Sequence, residues 1–335
     1  MRFFLISILL ISIFASCKNP PAEKQEVING VSVVAPSRPS DHTWTEPIQQ
    51  LNANWVTLMP FAFSQVGQPD IYFDRERQWW GETSEGVRVN IQQAHEAGFK
   101  VMLKPHVWLR GQWIGDFTLE NEADWQIWEQ NYRDYILNFA KIAEEEKVDL
   151  LCIGTEMRQI VRDRPAFWKS LIPDIRQAYN GKLTYCSNWD DYTEVPFWEQ
   201  LDFVGISAYF PLSETAIPNA DELIRQWQPI KSTLQEFSSK MDKPILFTEY
   251  GYRSIEQVAW RSWEVERLKL NPNFEAQQIA YKALFDSFWA EPWFAGGFLW
   301  KWYPNHEKAG GMENSDWTPQ NKTAEKVIRE VYGSF

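Results

Sequence analysis

Cysteine is scarce in this chain of 335 residues, which carries only three. Cys17 lies in the N-terminal segment, and Cys152 and Cys186 fall inside apolar runs. No disulfide framework is legible, and the latter two are expected to be buried free thiols. Histidine is nearly as sparse, with four residues at positions 42, 95, 106 and 306. No metal-ligand spacing links them, so no metal or other cofactor is expected. A phosphate-cradling glycine loop and a nucleophile elbow are missing too, which argues against nucleotide chemistry and serine-hydrolase chemistry. Positive charge is in deficit: the formal net charge is −12. Such a surface repels a phosphate backbone, so nucleic acid is not an expected partner. Polyanionic substrates are disfavoured in the same way, whereas neutral ones are unaffected.

What the chain has in excess is tryptophan, nineteen residues of it. Two readings follow. Aromatic side chains fill large cores, and flat apolar faces also stack on the C–H faces of sugar rings. Composition alone leaves both open.

The first residues read "MRFFLISILLISIFASCKNPPAEKQE". Arg2 precedes an apolar run from Phe3 to Ala15, too short to span a bilayer and shaped like a secretory signal. Small residues then lead to Cys17. The segment is similar to a bacterial lipoprotein signal, which implies cleavage after residue 16, lipidation of Cys17 and a flexible tether over residues 17–26. The expected location is the cell envelope, with contact to the membrane through the lipid only. Residues 27–335 are expected to form one monomeric domain, since no linker, repeat or low-complexity tract interrupts them.

Within that domain, eight short apolar runs alternate with longer amphipathic stretches. The runs are Ile28–Val34, Trp55–Met59, Lys100–Lys104, Leu150–Gly154, Leu183–Cys186, Phe203–Ser207, Ile245–Thr248 and Gly297–Trp300. Continuous apolar runs suit parallel strands covered on both faces. Between them, Trp125, Trp128, Tyr132, Tyr135, Ile136, Phe139 and Ala143 make one helical stripe. Helices are also expected over Ser84–Ala97, Ala166–Tyr179, Asp221–Phe237, Phe274–Ala290 and Thr323–Tyr332. Those after the first and fifth runs are weak or very short. Eight βα units in this length predict a (β/α)8 TIM barrel. An open doubly wound sheet is the alternative, but the first βα turn lacks its glycine fingerprint.

Barrel enzymes carry their chemistry at the carboxyl ends of the strands. The third run closes on Lys104, with His106 and Trp108 just beyond. Thr155 and Glu156 follow the fourth. Asn188, Trp189 and Asp190 follow the fifth, Tyr209 the sixth, Glu249 the seventh, and Trp300 and Trp302 stand at the eighth. Glu156 and Glu249 stand out, because retaining glycosidases place two carboxyl groups about 5–5.5 Å apart across the scissile bond. The plain alternative is that each glutamate makes a structural ion pair. Two of them, on the fourth and seventh strands with aromatics beside each, favour catalysis. Tyr209 is the expected donor to Glu249, and low polarity with the charge of Glu249 is expected to raise the pKa of Glu156. Lys104, His106, Trp108, Asn188, Trp189, Asp190, Tyr209, Trp300 and Trp302 are the expected substrate contacts.

The segments "NANWVTLMPF", "KVMLKPHVW", "LLCIGTEM", "FVGISAYFPL", "PILFTEYGYRS" and "GGFLWKWYP" together resemble glycoside hydrolase family 113. The resemblance covers nearly everything after the tether. It implies a retaining β-1,4-mannanase, with Glu156 as general acid/base and Glu249 as nucleophile. The wider clan usually has Asn just before the acid/base, bonding the sugar 2-hydroxyl. Thr155 occupies that place, which shifts the bond to Asn188, His106 or Lys104. A barrel that binds glycan without turnover, another β-linked substrate, and transglycosylation remain open as alternatives.

Overall fold

The computed structural model describes residues 26–264 and 270–335. The expected signal peptide, Cys17 with its lipidation, and the tether up to residue 25 lie outside the described residues.

All eight expected runs form strands of one closed barrel. They are β1 (Ile28–Val33), β2 (Trp55–Leu58), β3 (Lys100–Leu103), β4 (Leu150–Thr155), β5 (Lys182–Asn188), β6 (Val204–Ser207), β7 (Ile245–Tyr250) and β8 (Phe294–Trp302). Each pairs in parallel with its sequence neighbours, and β1 closes on β8. The strand β8 starts three residues earlier than its apolar run suggests, because Phe294 pairs with Ile245. The order is that of a (β/α)8 barrel.

The expected helices appear as α2 (Ser84–Glu96), α3 (Glu122–Glu145), α5 (Pro165–Ala178), α6 (Ala220–Met241), α7 (Phe274–Phe288) and α8 (Thr323–Tyr332). Side-chain caps mark several starts: Asn121, Asn219 and Asn273 each accept a backbone N–H at the third residue of their helix. The weak first position holds only α1 (Glu46–Gln50), and the fifth only two 3-10 turns, Tyr192–Glu194 and Trp198–Gln200. One short helix, α4 (Arg158–Asp163), was not legible in the sequence, since six residues carry too little periodicity.

A second feature has a clear sequence cause. Proline follows β2 and β3 at equivalent places, Pro60 and Pro105. Without an N–H, proline interrupts a strand ladder. The chain resumes pairing beyond each proline as a separate parallel ribbon, Phe61–Ser64 with His106–Leu109. This ribbon stands above the barrel mouth on one side.

The barrel is filled by residues from all eight strands or their edges, among them Ile28, Trp55, Met102, Leu150, Cys186, Phe203, Leu246 and Phe298. Cys152 and Cys186 are buried free thiols there. Toward the carboxyl ends the buried side chains turn polar: Ser32, Thr57, Lys104, Thr155, Ser207, Thr248 and Glu249. An apolar floor below a polar rim is what positions charged groups at the mouth. The second core lies between strands and helices and takes up Trp128, Trp168, Trp227 and Trp289. Part of the tryptophan excess is therefore ordinary packing.

Candidate active site

The last residues of β7 place Glu249 at the mouth, 6% exposed. Both carboxylate oxygens are held. Lys104, fully buried at the end of β3, makes an ion pair with Oε1, and the Tyr209 hydroxyl beyond β6 donates to Oε2 at 2.9 Å. A buried carboxylate stays charged only with such partners. Gly251 follows Tyr250 because the chain there runs against β8: a Cβ would lie 2.4 Å from the Trp300 carbonyl oxygen. That close approach brings Trp300 beside Glu249.

Glu156 follows the last residue of β4 in a left-handed conformation, φ 52°. Its N–H donates to the Cys186 carbonyl at 2.7 Å. Positive φ is costly for a non-glycine residue and is kept where the surroundings fix it, commonly at functional sites. The Trp113 indole donates to Glu156 Oε2 at 2.7 Å. Burial and, second, the charge of Glu249 push the Glu156 carboxyl up to about 7, with the Ser207 and Trp113 hydrogen bonds acting the other way.

Both glutamates line one cavity of about 510 Å³ with Asn188, Trp189, Asp190, Tyr209, Trp300, Trp113, Arg158, Trp263 and Trp317. Seven of the expected site residues thus converge on it. His106 lies beside the cavity, 9% exposed, and its Nε2 is 4.0 Å from Glu249 Oε1 and itself has no hydrogen-bond partner. Its ring lies near-parallel to Trp300 with centroids 6.4 Å apart. Burial, aided by the charge of Lys104, holds His106 well below the usual histidine range, so it is neutral.

Two expectations are corrected, and a third residue is placed outside the cavity. Lys104 has no exposed surface and is committed to Glu249, so it supports the carboxylate from below rather than meeting substrate. Trp302 is fully buried and packs against His306, because it points away from the mouth at the end of β8. It is a core residue. Trp108 is 47% exposed, but it lies on the ribbon against Phe63 and faces a neighbouring groove instead of the cavity. Asp190 lines the cavity as expected, and it also pairs with Arg158 and accepts from Asn188 Nδ2 at 2.8 Å.

Trp113, Arg158, Trp263 and Trp317 escaped the sequence reading. Arg158 lies 4.9 Å from the Trp113 ring centroid, a cation–π contact that braces the indole bonded to Glu156. Trp317 meets Tyr209 edge-on at 5.1 Å. All but Arg158 stand on loops well past a strand end, where no periodicity flags them. The one signal was a large apolar residue among polar and glycine neighbours, as in "GQWIGD".

Residues 40–322 match the profile of Glycoside Hydrolase Family 113. No curated protein matches the sequence. Among solved structures, the GH113 β-mannanase AaManA from Alicyclobacillus acidocaldarius, in complex with ManMIm, is similar at 26% identity. The match covers 92% of this chain and 97% of that one, with a TM-score of 0.80. A GH113 β-1,4-mannanase solved as a complex is 25% identical over 92% of this chain and 100% of that one, with a TM-score of 0.75. The β-glucuronidase of Faecalibacterium prausnitzii shares the fold at 15% identity and a TM-score of 0.60, over 92% of this chain and 49% of its own.

Proposed function

The chain belongs to glycoside hydrolase family 113, and from that premise we propose that it cleaves β-1,4-mannosidic bonds in mannan, glucomannan or mannooligosaccharides with retention of configuration. The observation that carries this reading is the unequal treatment of two carboxyl groups facing one cavity. Glu249 is held by a buried lysine and a tyrosine hydroxyl, which suits a charged nucleophile. Glu156 is held by an indole N–H and pushed up to about 7, which suits an acid at neutral pH.

In the first step Glu249 attacks the anomeric carbon while Glu156 gives its proton to the departing glycosidic oxygen. The covalent ester removes the negative charge at 249. The pKa of Glu156 then falls, and its carboxylate takes a proton from water as that water attacks the same carbon. Glu249 leaves as a carboxylate and Glu156 is protonated again, ready for the next cycle. Tyr209 and Lys104 fix the nucleophile through both half-reactions. Trp300 floors the position of the attacked sugar, and Trp189 is a stacking face for the leaving half. With Lys104 committed and Asn188 turned to Asp190, His106 is the best placed group for the 2-hydroxyl.

The test is product analysis on mannohexaose by mass spectrometry and proton NMR. The reading expects shorter mannooligosaccharides released first as β-anomers. Equal turnover by wild type and Glu249→Gln would sink it, and initial α-anomers would sink retention. We also propose that Cys17 carries a lipid that holds the enzyme at the cell envelope; the sequence pattern supports this. Expressed in a bacterium, the protein should partition with membranes, and Cys17→Ala should release it. Equal partitioning of the two would refute the anchor.

A further inference from the structure

The loop Gly67–Ser84 takes no part in the site described above, and the structure gives it a place. Phe63 and Tyr72 exchange two backbone hydrogen bonds of 2.9 Å each, docking the loop onto the ribbon. The Gln78 amide donates to the Phe61 carbonyl and ties down the other end. Between loop and ribbon lies a groove of about 620 Å³, inside the range of sites that hold small ligands. Phe61, Phe63, Tyr72, Trp79 and Trp108 supply its apolar walls, and Arg75, Arg77 and Glu82 are charged members of the lining. Tyr72, Trp79 and Trp108 are all exposed. Arg75 lies over the Tyr72 ring, 5.0 Å from its centroid, and the two indoles left in water on one groove mark a binding surface.

The groove adjoins the cavity across a row of packed rings. The Phe61 ring lies 4.8 Å from His106, and His106 lies against Trp300, which lines the cavity itself. We propose that this groove is an additional binding region for the same glycan chain. In it, Trp79 and Trp108 stack on sugar units remote from the scissile bond, and Glu82 bonds their hydroxyls. The proposal rests on the family's glycosidase reading and names where a long substrate extends.

The occupant follows from the chemistry of the walls. Flat aromatic faces match the apolar faces of pyranose rings, and Arg75, Arg77 and Gln78 in the same lining offer N–H donors to ring hydroxyls. Glu82 is 8% exposed, and a Gln78 side-chain hydrogen bond, not a cation, opposes the effect of its burial. Burial pushes its carboxyl up to about 7. It can therefore donate as well as accept at neutral pH, which suits hydroxyl groups.

The test compares wild type with Trp79→Ala, Trp108→Ala and Glu82→Gln on mannohexaose and mannotriose, each labelled at the reducing end. The ratio of kcat/KM for hexaose over triose should fall at least tenfold in the tryptophan variants. It should fall severalfold in Glu82→Gln, and the bond cleaved in the hexaose should move. An unchanged ratio and an unchanged cleavage position in all three, at wild-type melting temperature, would overturn the groove. Wild-type protein that cleaves cellohexaose and not mannohexaose sinks the mannan reading instead. The same ratio on cello-oligosaccharides then decides the groove. Wild-type protein that cleaves neither overturns both.

Discussion

Replacing Glu249 by Gln should lower the pKa of Glu156. The charge of Glu249 is the second-largest cause of the Glu156 shift, after burial, and the shift brings the carboxyl to about 7. At the separation of about 5–5.5 Å that a retaining pair requires, and an effective dielectric of about 20, one unit charge contributes roughly 3 kcal/mol. That upper bound corresponds to about 2 pKa units. Two features reduce it. Glu156 is partly open to water through the cavity, and Lys104 beside Glu249 offsets part of its field. The expected fall is therefore about 1 unit, leaving Glu156 above the ordinary carboxylate range because burial persists in the variant. Carbon-13 NMR of glutamate labelled at the side-chain carboxyl reads it directly, with Glu156→Gln identifying the resonance. A Glu156 titration that stays at the wild-type value in Glu249→Gln would refute the reasoning, because it would mean that the two carboxyl groups do not share a field.

Further consequences concern both chemistry and stability. Glu156→Ala should lower kcat on mannooligosaccharides by about 10²–10⁴-fold, the contribution of a positioned proton donor. Azide should restore turnover of aryl glycosides with good leaving groups, giving the β-glycosyl azide; no rescue would contradict its role as acid/base. Lys104→Met leaves Glu249 buried without its cation, so thermal unfolding should show a loss of about 3–5 kcal/mol together with loss of activity. Trp302→Phe should lower the melting temperature while the KM for mannohexaose stays at its wild-type value, since Trp302 is core; a raised KM at unchanged stability would restore it to the binding surface. Finally, Glu82 and Glu156 both have folded pKa values raised to about 7 from 4.5. Between those values the folded state binds more protons than the unfolded one, so their contribution is fully present below about 4.5 and is lost as pH rises toward 7. For Glu82 the loss is at most about 3 kcal/mol. Glu82→Gln should flatten that decline in melting temperature; an unaltered slope would contradict the buried carboxyl.

Much of the fold was readable because a parallel barrel strand is buried on both faces. Its apolar run is continuous, and the residue past its end falls at the mouth by construction. That geometry singled out Glu156, Glu249, Tyr209, Trp189 and Trp300 from one-dimensional order alone. The same rule misjudged Trp302 and Lys104. Position at a strand end does not say which way a side chain points, and the pleat turns alternate residues inward and outward. The prolines at 60 and 105 were visible, but the ribbon they create was not, because it needs two distant segments to pair.

The sequence by itself determined the strand order, the two acidic strand ends and, through six ordered motifs, the family. These are local or periodic properties, written in residues a few positions apart. Only the tertiary structure decided which groups serve each acid: Lys104 and Tyr209 for Glu249, Trp113 braced by Arg158 for Glu156. It also decided that the loop at 67–84 and the ribbon share a groove. Contacts between residues tens to hundreds of positions apart depend on side-chain direction and loop path, and neither has a period that a linear reading can follow.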